Sequence, residues 1–121
     1  MRARTQAIKE VGCIVAHLRG IEFIPCAEHH LTTGGKHGQK RLGHDHTVGL
    51  NDWSHQGYPL TQYGWDADEC RRQLGPSLAI EPDAFRAMWA ESGNAEEAQA
   101  AMLAFQEELL GRHRRGSSIY G

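Results

Sequence analysis

Apolar residues recur at helical spacing along most of the chain, and they fall into short strand-like runs only around residues 21–31 and 46–50. Near the start, Ile8 and Val11 share one helical face, with Thr5 as a candidate cap and Gly12 as a stop. The stretch Cys13–Gly20 fits either a short helix or a strand. Ile21–Leu31 contains a first strand, and His46–Leu50 is a second one that Gly49 weakens. A short helix over Asp52–Gln56 follows, then a loop from Tyr58 to Trp65. Asp66 with Glu69 reads as a capping box for a helix that reaches Leu74 and stops at Gly75-Pro76. Pro82 opens the next helix, which ends before Gly93 and places Phe85, Met88 and Trp89 in the core. Asn94 with Glu97 is a second capping box. The helix it starts carries Ala98, Met102, Phe105 and Leu109 as one stripe, and Gly111 is its expected stop.

This pattern predicts an α+β protein, mostly helical, with two short strands. A length of 121 residues suits one domain over 1–121 with a modest core, a helical part over 66–111 and a flexible basic tail over 112–121. Forty per cent of residues are hydrophobic, as in soluble domains. No apolar run approaches the ~20 residues of a membrane helix. The N-terminus soon meets Lys9 and Glu10, unlike a secretory signal. Three cysteines at irregular spacing suggest no disulfide framework. A reducing, cytoplasmic setting is expected.

The net charge of −2 is unevenly distributed. Residues 1–55 hold seven Lys/Arg against five Asp/Glu, residues 56–111 hold three against ten, and the last ten residues add Arg112, Arg114 and Arg115. A basic half opposed to an acidic helical half is compatible with weak, salt-sensitive DNA binding.

The candidate chemistry lies in the basic half. Six of the eight histidines fall between His29 and His55, two of them adjacent in Glu28-His29-His30-Leu31. Imidazole ligates metals and moves protons near neutral pH. Neighbours on a strand face opposite ways, so one site for both needs a turn of the backbone. The glycines of Thr32-Thr33-Gly34-Gly35-Lys36-His37-Gly38 can supply one.

The order of features is a short apolar approach, a His pair, a glycine-rich basic loop, a second strand and a terminal His. It resembles the ββα-metal, or HNH, nuclease module over about 12–57, and more closely the phage recombination-enhancement nucleases of the Ref type. The residues that carry the resemblance are Gly12-Cys13-Ile14-Val15, Glu28-His29-His30-Leu31, the loop with His44-Asp45, Trp53-Ser54-His55-Gln56-Gly57, Gly75-Pro76-Ser77-Leu78-Ala79 and Asp83-Ala84-Phe85-Arg86-Ala87. It extends from about Gly12 to about Leu110. It implies a metal-dependent DNA endonuclease that works with a RecA-type filament in the bacterial cytoplasm. His30 would be the general base, His29 and His55 the ligands of one Mg²⁺ or Mn²⁺, and Asp45 a supporting catalytic group. Asp45 and His46 compete for that middle polar position, with His44 beside them. Lys36, Lys40 and Arg41 would meet the phosphate backbone.

The departures from the family pattern concern a structural zinc held in many relatives by two knuckles. The first place reads Cys13-Ile14-Val15-Ala16 and the second Asn51-Asp52-Trp53-Ser54, so one of four ligands remains. A tetrahedral structural site takes four, and loss of this zinc is the expectation. A reduced site drawing on Cys13, His17 or Cys26 is the competing one. The loss supports an alternative function, a non-catalytic DNA- or filament-binding accessory on a degenerate fold. Plainer readings stand beside each assignment. The histidine cluster also fits a solvated loop, Lys36, Lys40 and Arg41 fit surface charge, Trp53 fits the core, and Cys70 fits a buried inert thiol.

Overall fold

A two-stranded antiparallel ribbon and six α-helices make up the described part of the computed structural model, which covers residues 2–32 and 46–116. Helix α1 spans Arg2–Val11 and ends at Gly12, whose φ of 86° suits a residue without a side chain. A Cβ there would also sit 2.7 Å from the Phe23 ring. Thr5 lies inside α1 rather than at its cap, and its hydroxyl donates to Glu28 Oε1 at 3.0 Å. The ambiguous stretch after it is helical, with α2 at Ile14–Leu18.

Strand β1 is Ala27–His30 and β2 is Thr47–Leu50, paired as Glu28↔Gly49, His29↔Val48 and His30↔Thr47. The strand is shorter than the apolar run that contains it, since Pro25 has no N–H to give a ladder. Helix α3 covers Asp52–Gln56, α4 Ala67–Leu74, α5 Pro82–Trp89 and α6 Ala95–Arg114. A single 3-10 turn, Thr61–Tyr63, lies in the loop before α4. The observed class is α+β.

All four residues of β2 are buried, whereas none of β1 is fully buried. Helices α1, α2 and α6 close over the ribbon, with Ile8, Val11, Ile14, Val15, Val48, Leu50, Leu109 and Leu110 in one core cluster. Each such aliphatic side chain contributes about 1.5–3 kcal/mol on full burial. Helix α6 also serves the backbone. Gln106 Oε1 accepts the Gly49 N–H at 2.7 Å, and Gln99 Oε1 accepts the Thr32 N–H at 2.9 Å. Polar side chains of a helix thus satisfy backbone donors of the small sheet and of the residue that follows it.

The helix caps follow half of each expected box. Asp66 accepts from Glu69 N and Asn94 from Glu97 N, at 2.9 and 3.0 Å. The return halves go elsewhere: Glu69 takes Gln73, while Ser92 donates to Glu97 and accepts from Asn94 N. Gly111 does not stop α6, which runs on to Arg114. The last turn is basic, which suits the negative end of the helix dipole. Arg112 also pairs with Glu108 one turn back, and His113 Nε2 reaches Glu10 on α1 at 2.6 Å. Gly116, at φ 74°, follows its end.

Candidate metal centre

Three short elements assemble the site. Strand β1 supplies His29 and His30, β2 holds β1 in register, and α3 supplies His55. Helix α3 forms at this point because Asn51 adopts an extended conformation and its Oδ1 accepts the Ser54 N–H at 2.7 Å. Gly57, left-handed at φ 79°, closes the helix, and its N–H donates to Trp53 O at 2.9 Å.

Asn51 is also tied to the start of α2. Its backbone N–H and its Nδ2 both donate to Cys13 Sγ, at 3.3 and 3.1 Å. Cys13 is fully buried, and that burial pushes its thiol pKa up against the N–H donors around it. The two places where the resemblance puts zinc knuckles thus meet at Cys13 and Asn51 as a hydrogen-bonded knot. Ser54, also buried, docks the segment ahead of α5 through its carbonyl, which accepts the Leu78 N–H at 2.8 Å. Trp53 is core, and its Nε1 donates to Gly75 O at 3.0 Å. The Gly75–Leu78 turn is therefore fastened directly to α3.

The other candidates for a reduced zinc site have structural partners. His17 Nε2 meets Val11 O at 2.7 Å. Cys26 Sγ donates to Ile8 O at 3.5 Å, and burial, helped by neighbouring Cys13, pushes its thiol pKa up to about 12. Cys70, expected as a buried inert thiol rather than a zinc ligand, is buried in α4 and accepts the Leu60 N–H at 3.3 Å.

The structure brings His29 and His55 together. Their ring centroids lie 4.4 Å apart at an interplanar angle of 63°. The two rings are direct neighbours in an edge-on contact, and they are the imidazoles that a shared divalent ion would draw on. Burial lowers the His55 pKa, partly opposed by the Asp52 carboxylate. A neutral ring is the form that ligates. Among the described residues no group of three His, Cys, Asp or Glu is placed to hold a metal. The two imidazoles would share the ion with water and substrate oxygens, as Mg²⁺ sites commonly do.

His30 is not brought to that ring pair on the same side of the ribbon. Strand alternation sends it to the face opposite His29. Its ring is half-buried, and Nδ1 is buried without a hydrogen-bond partner. Glu28 shares that face, with Oε2 buried and unpartnered while Oε1 holds Thr5. His46 immediately precedes β2, and its carbonyl accepts the Leu31 N–H at 3.0 Å. Lys36, Lys40, Arg41, His44 and Asp45 lie outside the described residues.

Sequence reasoning missed Arg4. Its guanidinium donates to Thr47 Oγ1 and O at 3.1 and 2.7 Å and pairs with Glu107 at 2.6 Å, so it clamps β2 beside His30's cross-strand partner. No pattern marked it, because an arginine near a terminus looks like surface charge. Asn51 was visible as a missing zinc ligand, while its role as a cap was overlooked despite the Asn ahead of a short helix.

No curated protein and no solved structure matches this chain. A family described as recombination enhancement, RecA-dependent nuclease matches residues 1–111. That span contains both strands, α3 and nearly all of α6. The chain belongs to the recombination-enhancement, RecA-dependent nuclease family.

Proposed function

We propose that this nuclease is a metal-dependent DNA endonuclease of the HNH type, working on DNA presented by a RecA filament in the bacterial cytoplasm. The observation that carries this reading is the meeting of His29 and His55, distant in sequence, as neighbouring rings. The strand–strand–helix order around them is that of a ββα unit over about 12–57, the segment that the resemblance assigns to catalysis. His29 and His55 hold one Mg²⁺ or Mn²⁺. The ion supplies charge neutralisation at the phosphate and at the departing oxygen. The resemblance makes His30 the base that takes a proton from the attacking water, a role that requires the end of β1 to turn it toward the ring pair, since strand alternation points it to the other face. Asp45 supports it, with His44 and His46 as secondary polar groups. Lys36, Lys40 and Arg41 contact the DNA backbone and fix register without reading sequence.

The test is cleavage of single-stranded and duplex DNA with Mg²⁺ or Mn²⁺, with and without a RecA filament. Wild type should cut only with metal, and His29→Ala and His55→Ala should each lose metal binding together with cutting. A wild type that binds DNA but cuts under no condition overturns the endonuclease reading in favour of a non-catalytic DNA- or filament-binding accessory.

A further inference from the structure

His29 also forms one wall of a cleft of about 340 Å³ that opens between the end of β1, helix α5 and the first turns of α6. Its walls include Leu31, Phe85, Ala98 and Met102, all nearly fully buried. Arg86 and Gln99 supply polar groups among them. Gln99 Oε1 is engaged by the Thr32 N–H, so the Gln99 NH₂ remains as a donor. Arg86 has only a loose partner, the exposed Asp83 at 3.6 Å. A half-open apolar slot with a few polar groups is the usual form of a site for a flat organic ligand.

We infer that this cleft receives one unstacked nucleobase of the DNA strand, next to the phosphate held at His29 and His55. The inference rests on the endonuclease reading for what lies at those two rings. Continuity gives the occupant: His29 belongs to both places, so a phosphate at the ring pair puts the attached nucleoside within reach of the cleft. Charge agrees, because the Arg86 guanidinium at the cleft is a group that a neighbouring phosphate would pair with. The apolar walls suit the faces of a base, and the Gln99 NH₂ suits an acceptor on its edge. A base inside a duplex must first leave its stack, which costs a few kcal/mol, and least where the strand is already unpaired. The cleft therefore selects single-stranded or displaced DNA over intact duplex. A filament that opens duplexes produces such a strand, which is a physical reason for this nuclease to depend on RecA.

The test scans 2-aminopurine, a base whose fluorescence rises when it is unstacked, through the target strand of a RecA-made joint. His30→Ala protein with Mn²⁺ serves as the non-cutting binder, and cutting by wild type is measured separately on the same DNA. One position should brighten several-fold on binding. Ala95→Trp, which fills the mouth of the cleft from the partly exposed first turn of α6, should abolish that signal. Arg86→Ala should weaken it if Ala95→Trp proves unfoldable. No responding position, with cutting intact, overturns the base-binding cleft and leaves the endonuclease standing. A response unaffected by both variants overturns the cleft as its location. A responding position lost in Ala95→Trp, with no cutting by wild type, upholds the cleft and removes the endonuclease reading.

Discussion

The two ends of helix α3 differ more than their separation of one turn suggests. At its N-terminus Asn51 is buried, caps Ser54 and gives two hydrogen bonds to Cys13. At its last turn His55 is half-buried and meets one other ring, that of His29. One end is fixed by interactions that leave no polar group of Asn51 free, and the other presents a neutral imidazole to a second one. A short helix is marginal alone, so a reactive end held in place needs a support end bound elsewhere. The knot at Cys13 is that support. It joins by hydrogen bonds the two places where the resemblance expects zinc knuckles.

The largest effect expected belongs to the histidine at the end of β1. His30→Ala should reduce metal-dependent cutting by at least about 100-fold, the lower range for loss of a general base. DNA binding, measured by salt titration of the same complex, should stay nearly unchanged. Equal loss of cutting and binding would sink the base assignment and make His30 a structural partner of β2.

The support end should reveal itself in stability first. Asn51→Ala removes a cap worth about 0.5–2 kcal/mol and the Nδ2 donor from a buried sulfur, while the backbone N–H donor to that sulfur stays. With the Ser54 N–H left unsatisfied, about 2–4 kcal/mol in total should be lost. Asn51→Ser restores the cap but not the Nδ2 bond and should recover roughly half of that. Denaturant unfolding gives both values. Metal affinity at His55 should fall with Asn51→Ala and partly return with Asn51→Ser. Full metal affinity in an Asn51→Ala protein that is still folded would break the link between the two ends of α3.

A third region lies between these extremes. Gln106 is fully buried in α6 and holds the Gly49 N–H, while its own Nε2 has no partner. Gln106→Leu strands that N–H but also removes an orphaned donor. A loss of about 1–2 kcal/mol is expected, below that of Asn51→Ala. Thermal melts of the two variants in one buffer order them, and a larger loss at Gln106 would make α6 rather than the Cys13 knot the main support of the ribbon.

The contrast between the regions also governs what could be read in the sequence. The bounds of α3 and α5, the second strand and the Gly75 stop follow from local signals that act over a few residues: Asn or Asp caps, Pro at a first turn, glycine at positive φ. The ring pair was legible through the family pattern, which links His29 to His55 across the loop. The Cys13–Asn51 knot was not, because one residue read as a lone ligand and the other as a lost one, and only folding shows that they bond to each other. Thr5 was misread because its hydroxyl serves Glu28 on β1 rather than a helix end. Gly111 was misread because two ion pairs with distant and local carboxylates outweigh a glycine's cost in a helix of about 1 kcal/mol. In each miss a side-chain contact outside the reach of the local signal takes part, from Glu28 at Thr5 and from Glu10 beyond Gly111.

The smallest effect, and the one that probes the reactive end through stability alone, is in pH. Burial holds the His55 pKa below its ordinary value of 6.5, with the Asp52 carboxylate pulling the other way. As pH falls, the unfolded chain takes up this proton before the folded one does. Stability from the neutral buried ring is therefore complete above the ordinary value and is lost as pH falls from there to the lowered folded pKa, below which the loss is constant. His55→Gln removes this titration, so its denaturation midpoint should vary less with pH than that of wild type across that window. Asp52→Asn should lower the His55 pKa further and extend the wild-type loss to more acid pH. Divalent ion binding competes with the same proton, so ion affinity should hold down to more acid pH than an ordinary histidine allows. Parallel stability profiles for wild type and His55→Gln would show that the ring is solvated rather than buried, and would remove the reason for treating it as a ready, neutral ligand.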